Sequence, residues 1–256
     1  MGKTFERGLY RARRRIGESN LLVISDVAEG IDAAIESVAE NRRVLESYLK
    51  LNPSYALSLS PVEVDERSQP RVASLAASSA AAAGVGPMAS IPGTLADLAV
   101  ERMAELGCSV SVVENGGEIS AASSAPLVVA IYAGRASASG RLGFLLEGKD
   151  FPIGIATSSA TVSHALSFGE ADAAVVVSDS ASMADAAATR VCNEVRGGGE
   201  EEAIEAGLKV AKAIPRVRGA LIAKGSRVGI VGNLPKVVRL RGSAEEMFEA
   251  CLLERS

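Results

Sequence analysis

Apolar side chains return every three or four positions through EGIDAAIESVAENRRVLESYLK, residues 29 to 50, where Ile31, Ile35, Val38, Val44, Leu45 and Leu49 share one side of a helix. SNLLVISDV just before it is a short, unbroken apolar run, the mark of a strand. YALSLSPVEV after it alternates and predicts another strand, closed by the turn-forming DERSQP. RVASLAASSAAAAGVGPMASIPGTLADLAVERMAELG then reads as two alanine-rich helices broken at Gly84, Gly86 and Pro87. Side chains this small let backbones approach closely, so the break is either a tight crossing or a ligand seat, and low complexity favours the crossing.

Downstream, SVSVVE, EISAA, PLVVAIYA, RLGFLLE and FPIGIATS are strand candidates linked by Gly-rich turns. DAAVVVS at 172 to 178 is another, followed by helices over 181 to 195 and 200 to 214 on either side of Gly197, Gly198 and Gly199. ALIAK, RVGIVG and KVVRLR close the pattern as short strands. Hairpin spacing predicts antiparallel pairing with helices packed on one face, an α+β protein rather than a strict alternation of strand and helix. No linker is long enough to divide it, so residues 1 to 256 read as a single domain.

Composition narrows this picture. Hydrophobic residues make up 48% of 256 positions, enough for a substantial core, and no apolar run approaches the roughly 18 to 20 residues of a membrane span. The start, MGKTFERGLYRARRR, is charged where an export signal would be apolar, which predicts a cytoplasmic protein with no membrane partner. Net charge is -4, and with no tryptophan, four tyrosines and five phenylalanines there is little to stack on bases, so no nucleic-acid partner is expected. Arg11, Arg13 and Arg15 would share one face of a strand, more simply a solvated edge than a phosphate patch. Cys108, Cys192 and Cys251 are far apart, and one histidine cannot complete a zinc site with them, so any metal is held by oxygen. Each cysteine reads as a small apolar residue, with a lone nucleophile as the alternative, Cys192 foremost.

Four stretches could carry chemistry. In SASMADAAATRVCNEV, Ser180 or Ser182 can cap a helix on which Asp185 and Thr189, four residues apart, offer two oxygens to one hard cation; alternatively Asp185 complements a positive helix end and Thr189 packs. In VVENGGEIS, Gly116 and Gly117 permit either a close ligand approach beside Glu114, Asn115 and Glu118 or a simple hairpin turn. In GVGPMASIPGTLAD, Gly93 precedes helix amides able to hold a phosphate, or is plain helix punctuation. TSSATVSH sets Thr157, Ser158, Ser159, Thr161 and Ser163 around His164; without a nucleophile elbow or partner carboxylate, ligand binding suits it better than hydrolysis, or His164 is simply a structural residue.

Taken in order, PGTLAD (92 to 97), ENGGE (114 to 118), ATSS (156 to 159), His164 and ADAAAT (184 to 189) resemble the motif series of the ApbE-like superfamily, whose best-known members are FAD:protein FMN transferases. VGPMAS, VENGGEI, ATSSATVSH and ADAAAT together are more similar to a shorter cytoplasmic side branch of it. The resemblance implies a T-fold-like architecture, antiparallel sheets and packed helices around a central cleft, with the motif-bearing region at about residues 84 to 195. It implies FAD or FMN contacted by Gly93, Asp97, Asn115, Gly116, Gly117, Thr157, Ser158, Ser159 and His164. It places Mg²⁺ or Ca²⁺ between Asp185, Thr189 and the backbone carbonyl of Ala89, and makes His164 and Asp185 the catalytic residues. Pro92 stands where the family has a lysine, and ALSFGEAD replaces its D-P-x-T-G, so ligand-binding elements are kept more fully than transfer chemistry. Two functions follow: a metal-assisted flavin-nucleotide transferase with an acceptor protein, or a non-catalytic flavin carrier or accessory protein, which that branch associates with sulfide assimilation toward homocysteine. Exposed sheet edges also suit a homo-oligomer.

Overall fold

The computed structural model describes residues 2–65, 68–131, 142–159 and 169–240. In chain order its strands are β1 (Thr4–Glu6), β2 (Leu9–Ile16), β3 (Ser19–Ser25), β4 (Val110–Asn115), β5 (Glu118–Ser123), β6 (Leu127–Ile131), β7 (Leu142–Leu146), β8 (Ile153–Ser158), β9 (Ala173–Ser178), β10 (Val217–Lys224), β11 (Arg227–Gly232) and β12 (Lys236–Arg239). The helices are α1 (Ala28–Leu51), α2 (Pro53–Leu57), α3 (Arg71–Ala83), α4 (Ile91–Glu105), α5 (Ala181–Glu194) and α6 (Glu200–Ala213), with a 3₁₀ turn at Pro87–Ser90.

Among the described residues, nine strands form one antiparallel sheet in the order β1-β2-β3-β4-β5-β8-β9-β10-β11, and three form a second in the order β12-β7-β6. β6 and β7 leave the main sheet and β8 returns beside β5, so the small sheet lies on the face opposite the helices. On one face α1 and α4 cover Leu21, Val23 and Val113, while α3, α5 and α6 cover Ala156, Val176 and Ile222. On the other, Val129, Phe144 and Leu146 of the small sheet meet Ile155, Val175, Val177 and Leu221. Burial on both faces explains why β9 is an unbroken apolar run rather than an alternating one. Among the described residues no single helix is long and apolar enough to cross a membrane.

One expected element is different. The stretch predicted as a strand at YALSLSPVEV opens as α2 and continues without strand structure. Pro53 in the first turn favours helix there, and Tyr55 is the residue that anchors it, buried with its hydroxyl donating to the Ala73 carbonyl at 2.7 Å. Leu57 and Leu59, which the alternation assigned to a buried face, are 80% and 64% exposed. β2 is not terminal, but β1 pairs only with its residues 9 to 11, leaving Arg13, Arg14 and Arg15 exposed along the rest.

Small residues set the helix-to-sheet distance. A Cβ on Gly154 of β8 would lie 1.9 Å from the carbonyl carbon of Ser180, just ahead of α5. Neither backbone can yield, so Gly154→Ala is expected to lose roughly 3 kcal/mol or more. Gly148→Ala, with nothing within 4 Å, should melt like the parent. Urea melts of the two variants check this, and an unchanged midpoint for Gly154→Ala would contradict the packing.

Candidate functional site

The N-terminal ends of α4 and α5 cross in contact, and each is capped by a carboxylate from the other. A Cβ on Gly93, in the first turn of α4, would sit 2.3 Å from the Ala181 carbonyl oxygen, so only glycine fits the crossing. The Gly93 amide donates to Asp185 Oδ2 of α5 at 2.9 Å. In return Asp97 Oδ1 of α4 accepts from the Ala181 amide at 2.8 Å, and Oδ2 from the Ser182 amide at 2.8 Å. Ser120 Oγ of β5 donates to the same Asp97 Oδ1 at 2.7 Å, tying the crossing to the sheet. Ser90 Oγ donates to the Ser182 carbonyl at 2.9 Å, and Thr94 Oγ1 to the Ser90 carbonyl at 2.6 Å. Carboxyl oxygens at helix starts meet amides that have no partner within their own helix, which is why both side chains settle here. Ser180, not Ser182, is the N-cap of α5.

The ENGGE stretch joins this crossing. Asn115, buried at the end of β4, donates from Nδ2 to the Pro92 carbonyl at 3.0 Å, locking the hairpin to the start of α4. Gly116 and Gly117 make a two-residue turn with φ of +76° and +120°, conformations that favour glycine. Across from Asn115, Glu118 faces the helices, where its charge meets that of Asp185. β5 pairs with β8 as Ile119↔Ile155, a register that carries Thr157 level with the Gly116–Gly117 turn. Thr157 and Ser158 end β8, and Ser159 beyond them is buried. His164, Thr161 and Ser163 lie outside the described residues.

Burial drives the electrostatics. It pushes the Asp185 carboxyl up to about 8, with the Asp97 charge adding to the rise and the Gly93 hydrogen bond opposing it. Burial likewise raises Glu118 well above the usual carboxylate range, helped by the charges of Asp185 and Glu114. Glu114 is raised by its own burial, with Arg13 of β2 pulling the other way. Acidic oxygens are thus concentrated at one end of the sheet, in surroundings that reward a cation.

The donor set suits a hard divalent ion. Thr189 is one turn along α5 from Asp185 and part-buried; Ala89, in the 3₁₀ turn, packs against the core that α5 shares. Carboxylate, hydroxyl and carbonyl oxygens are the ligands Mg²⁺ and Ca²⁺ take. Among the described residues no three His, Cys, Asp or Glu side chains converge as a metal cage, so water or ligand phosphates would have to complete the shell.

Of the residues expected from sequence, the structure bonds Gly93 to Asp185, ties Asp97 to the start of α5 and Asn115 to the start of α4, and sets Gly116, Gly117 and Thr157 alongside. Asp97, expected to touch ligand, has its carboxylate occupied by protein donors. Ser90 and Ser120 were missed as contributors, whereas the sequence singles out Glu118 beside the glycine turn. Polar residues at 118 and 120, both on the face of β5 turned toward the helices, were the available signal. Cys192 is fully buried among the alanines of α5, as a small apolar residue would be, and Cys251 lies outside the described residues. A cavity of about 380 Å³ lined by Lys149, Asp150, Ile153, Val177, Arg218 and Leu234 opens on the opposite face of the main sheet and shares none of these groups.

The chain is 39% identical over 225 residues to a UPF0280 protein of Methanosarcina barkeri, covering 88% of this chain and 87% of that protein. A UPF0280 protein of Methanosarcina acetivorans is 37% identical over 236 residues, covering 92% of each. Among solved structures, the ApbE protein of Thermotoga maritima superposes with a TM-score of 0.58 at 13% identity, over 96% of this chain and 100% of that one. The apo flavinyl transferase ApbE of Pseudomonas stutzeri gives 0.54 at 15% identity, over 87% and 94%. The fold is therefore the ApbE-like one, antiparallel sheets with packed helices. With the family model described as "AbpE bacteria" matching residues 3–213, the chain belongs to that family.

Proposed function

We propose that the protein binds a flavin nucleotide together with a divalent cation at the crossing of α4 and α5, and acts on it as a metal-assisted transferase. The observation that carries this is the buried Asp185 beside Glu118, acidic oxygens gathered at a helix crossing in an ApbE-like fold. Asp185, Thr189 and the Ala89 carbonyl hold the cation. A divalent ion there would neutralise the charge of a pyrophosphate and assist its cleavage. Asn115 holds the hairpin against α4, and the turn at Gly116 and Gly117, free of side chains, would let a ligand approach closely. Thr157, Ser158 and Ser159 offer hydroxyls on the adjoining strand end, and His164 is assigned to the same contact set.

A second reading, a flavin carrier without turnover, is favoured by Pro92. It lies in the first turn of α4, where proline suits the backbone and brings no charge to the site. Incubating the protein with FAD and Mg²⁺ separates the readings. Release of AMP with a covalent FMN mass on an acceptor protein is the transferase result; bound flavin recovered intact, with no AMP, is the carrier result. Absence of any retained flavin contradicts both.

A further inference from the structure

Among the described residues Asp97 makes hydrogen bonds only inward. Three donors, Ser120 Oγ and the amides of Ala181 and Ser182, take up most of the roughly four acceptor positions of its carboxylate. The two amides belong to the first turn of α5, whose own cap reaches only the Met183 amide, at 3.4 Å. That turn also presents the Ser182 carbonyl to Ser90 and leads directly to Asp185. The Gly93–Ala181 contact leaves no slack, so a shift of the α5 start would carry Asp185 away from the Gly93 amide.

We propose that Asp97 is a positioning residue that fixes the first turn of α5 through Ala181 and Ser182, so that Asp185 keeps Oδ2 on Gly93 and presents Oδ1 to the cation. This rests on the reading of Asp185 as a cation ligand. It differs from a ligand-binding role for Asp97, because the carboxylate acts through α5 and not on the flavin. It also makes ion selectivity the sensitive quantity. Mg²⁺ demands near-ideal octahedral geometry, whereas Ca²⁺ tolerates longer and more variable bonds, so a loosened Asp185 penalises Mg²⁺ more.

The test is displacement of Mn²⁺, followed by its electron paramagnetic resonance signal, with Mg²⁺ and Ca²⁺ as competitors, well below the melting temperature. Asp97→Asn keeps the shape but loses the charge and one acceptor oxygen. It is expected to weaken Mg²⁺ about tenfold or more, as loss of an outer partner to a metal ligand commonly does, and Ca²⁺ by less than about threefold. Ser120→Ala, which frees Asp97 only from the sheet, should move the Mg²⁺ to Ca²⁺ ratio the same way by about twofold, and serves if Asp97→Asn does not fold. A purely structural role would lower the melting temperature without changing that ratio. Wild-type protein that binds the ions, with an unaltered ratio in the variants, overturns the positioning role alone. Wild-type protein that binds neither ion overturns the cation site and the positioning role with it.

Discussion

Asp185→Asn is expected to raise the stability of the ligand-free protein at pH 8.5 and to abolish its divalent-cation binding. The asparagine carbonyl oxygen can still accept the Gly93 amide, so the crossing keeps its hydrogen bond. What disappears is an ionised group buried beside Glu118 and Asp97. The folded Asp185 carboxyl titrates at about 8 and the reference value is 3.8, so the folded state holds its proton more tightly than the unfolded state does. Wild-type stability therefore falls as pH rises from about 4 to 8 and stays reduced above that. At about 1.4 kcal/mol per pH unit the limit is roughly 6 kcal/mol, and sharing of the effect with Glu118 brings the expected gain to about 2 kcal/mol. For a chain of this length that is a melting temperature about 4 to 8 °C higher. Thermal melts at pH 6 and pH 8.5 measure it: the variant should gain about twice as much at the higher pH, and a variant less stable than wild type at pH 8.5 would contradict the charge burial. Stability gained by removing a functional charge is the trade expected of a site organised for a ligand.

Cation affinity should depend steeply on pH. In the proposed site the carboxylate form of Asp185 is the ligand, and because burial holds its proton up to about 8, each bound ion would have to displace that proton below this pH. Mn²⁺ affinity should then fall with pH below about 8, by at most about tenfold per pH unit because Glu118 shares the titration, and level off above. Asp185→Asn should show no such slope. Titrations from pH 6 to pH 9 decide it; a flat wild-type profile would mean that Asp185 is not the titrating ligand.

Much of the fold was legible because burial and periodicity coincide. The apolar stripe of α1, the unbroken β9 and the alanine-rich pair around Gly84 to Pro87 all signal how they pack. YALSLSPVEV misled because alternation records spacing and not burial: only Tyr55 is fully buried, Val62 and Val64 are half-buried against its cluster, and Pro53 starts a helix turn. At the site, residue type and spacing singled out Asp185 and the family resemblance added Asp97, but neither could say where the side chain turns. Both motifs contain an aspartate one or two turns into a helix, and only the crossing at Gly93 shows that each caps the other's helix. Gly154 carried no sequence signal, since its constraint is the Ser180 backbone, 26 residues on in the chain.

The most direct measurement is a fluorescence titration of the purified protein with FAD and with FMN, in Mg²⁺ and again in excess chelator. Saturable quenching in Mg²⁺ that is lost with the chelator, and absent in Asp185→Asn, is the result expected of a cation-assisted flavin site at the α4–α5 crossing. Wild-type protein that binds neither flavin, or Asp185→Asn that binds as well as wild type, would contradict it.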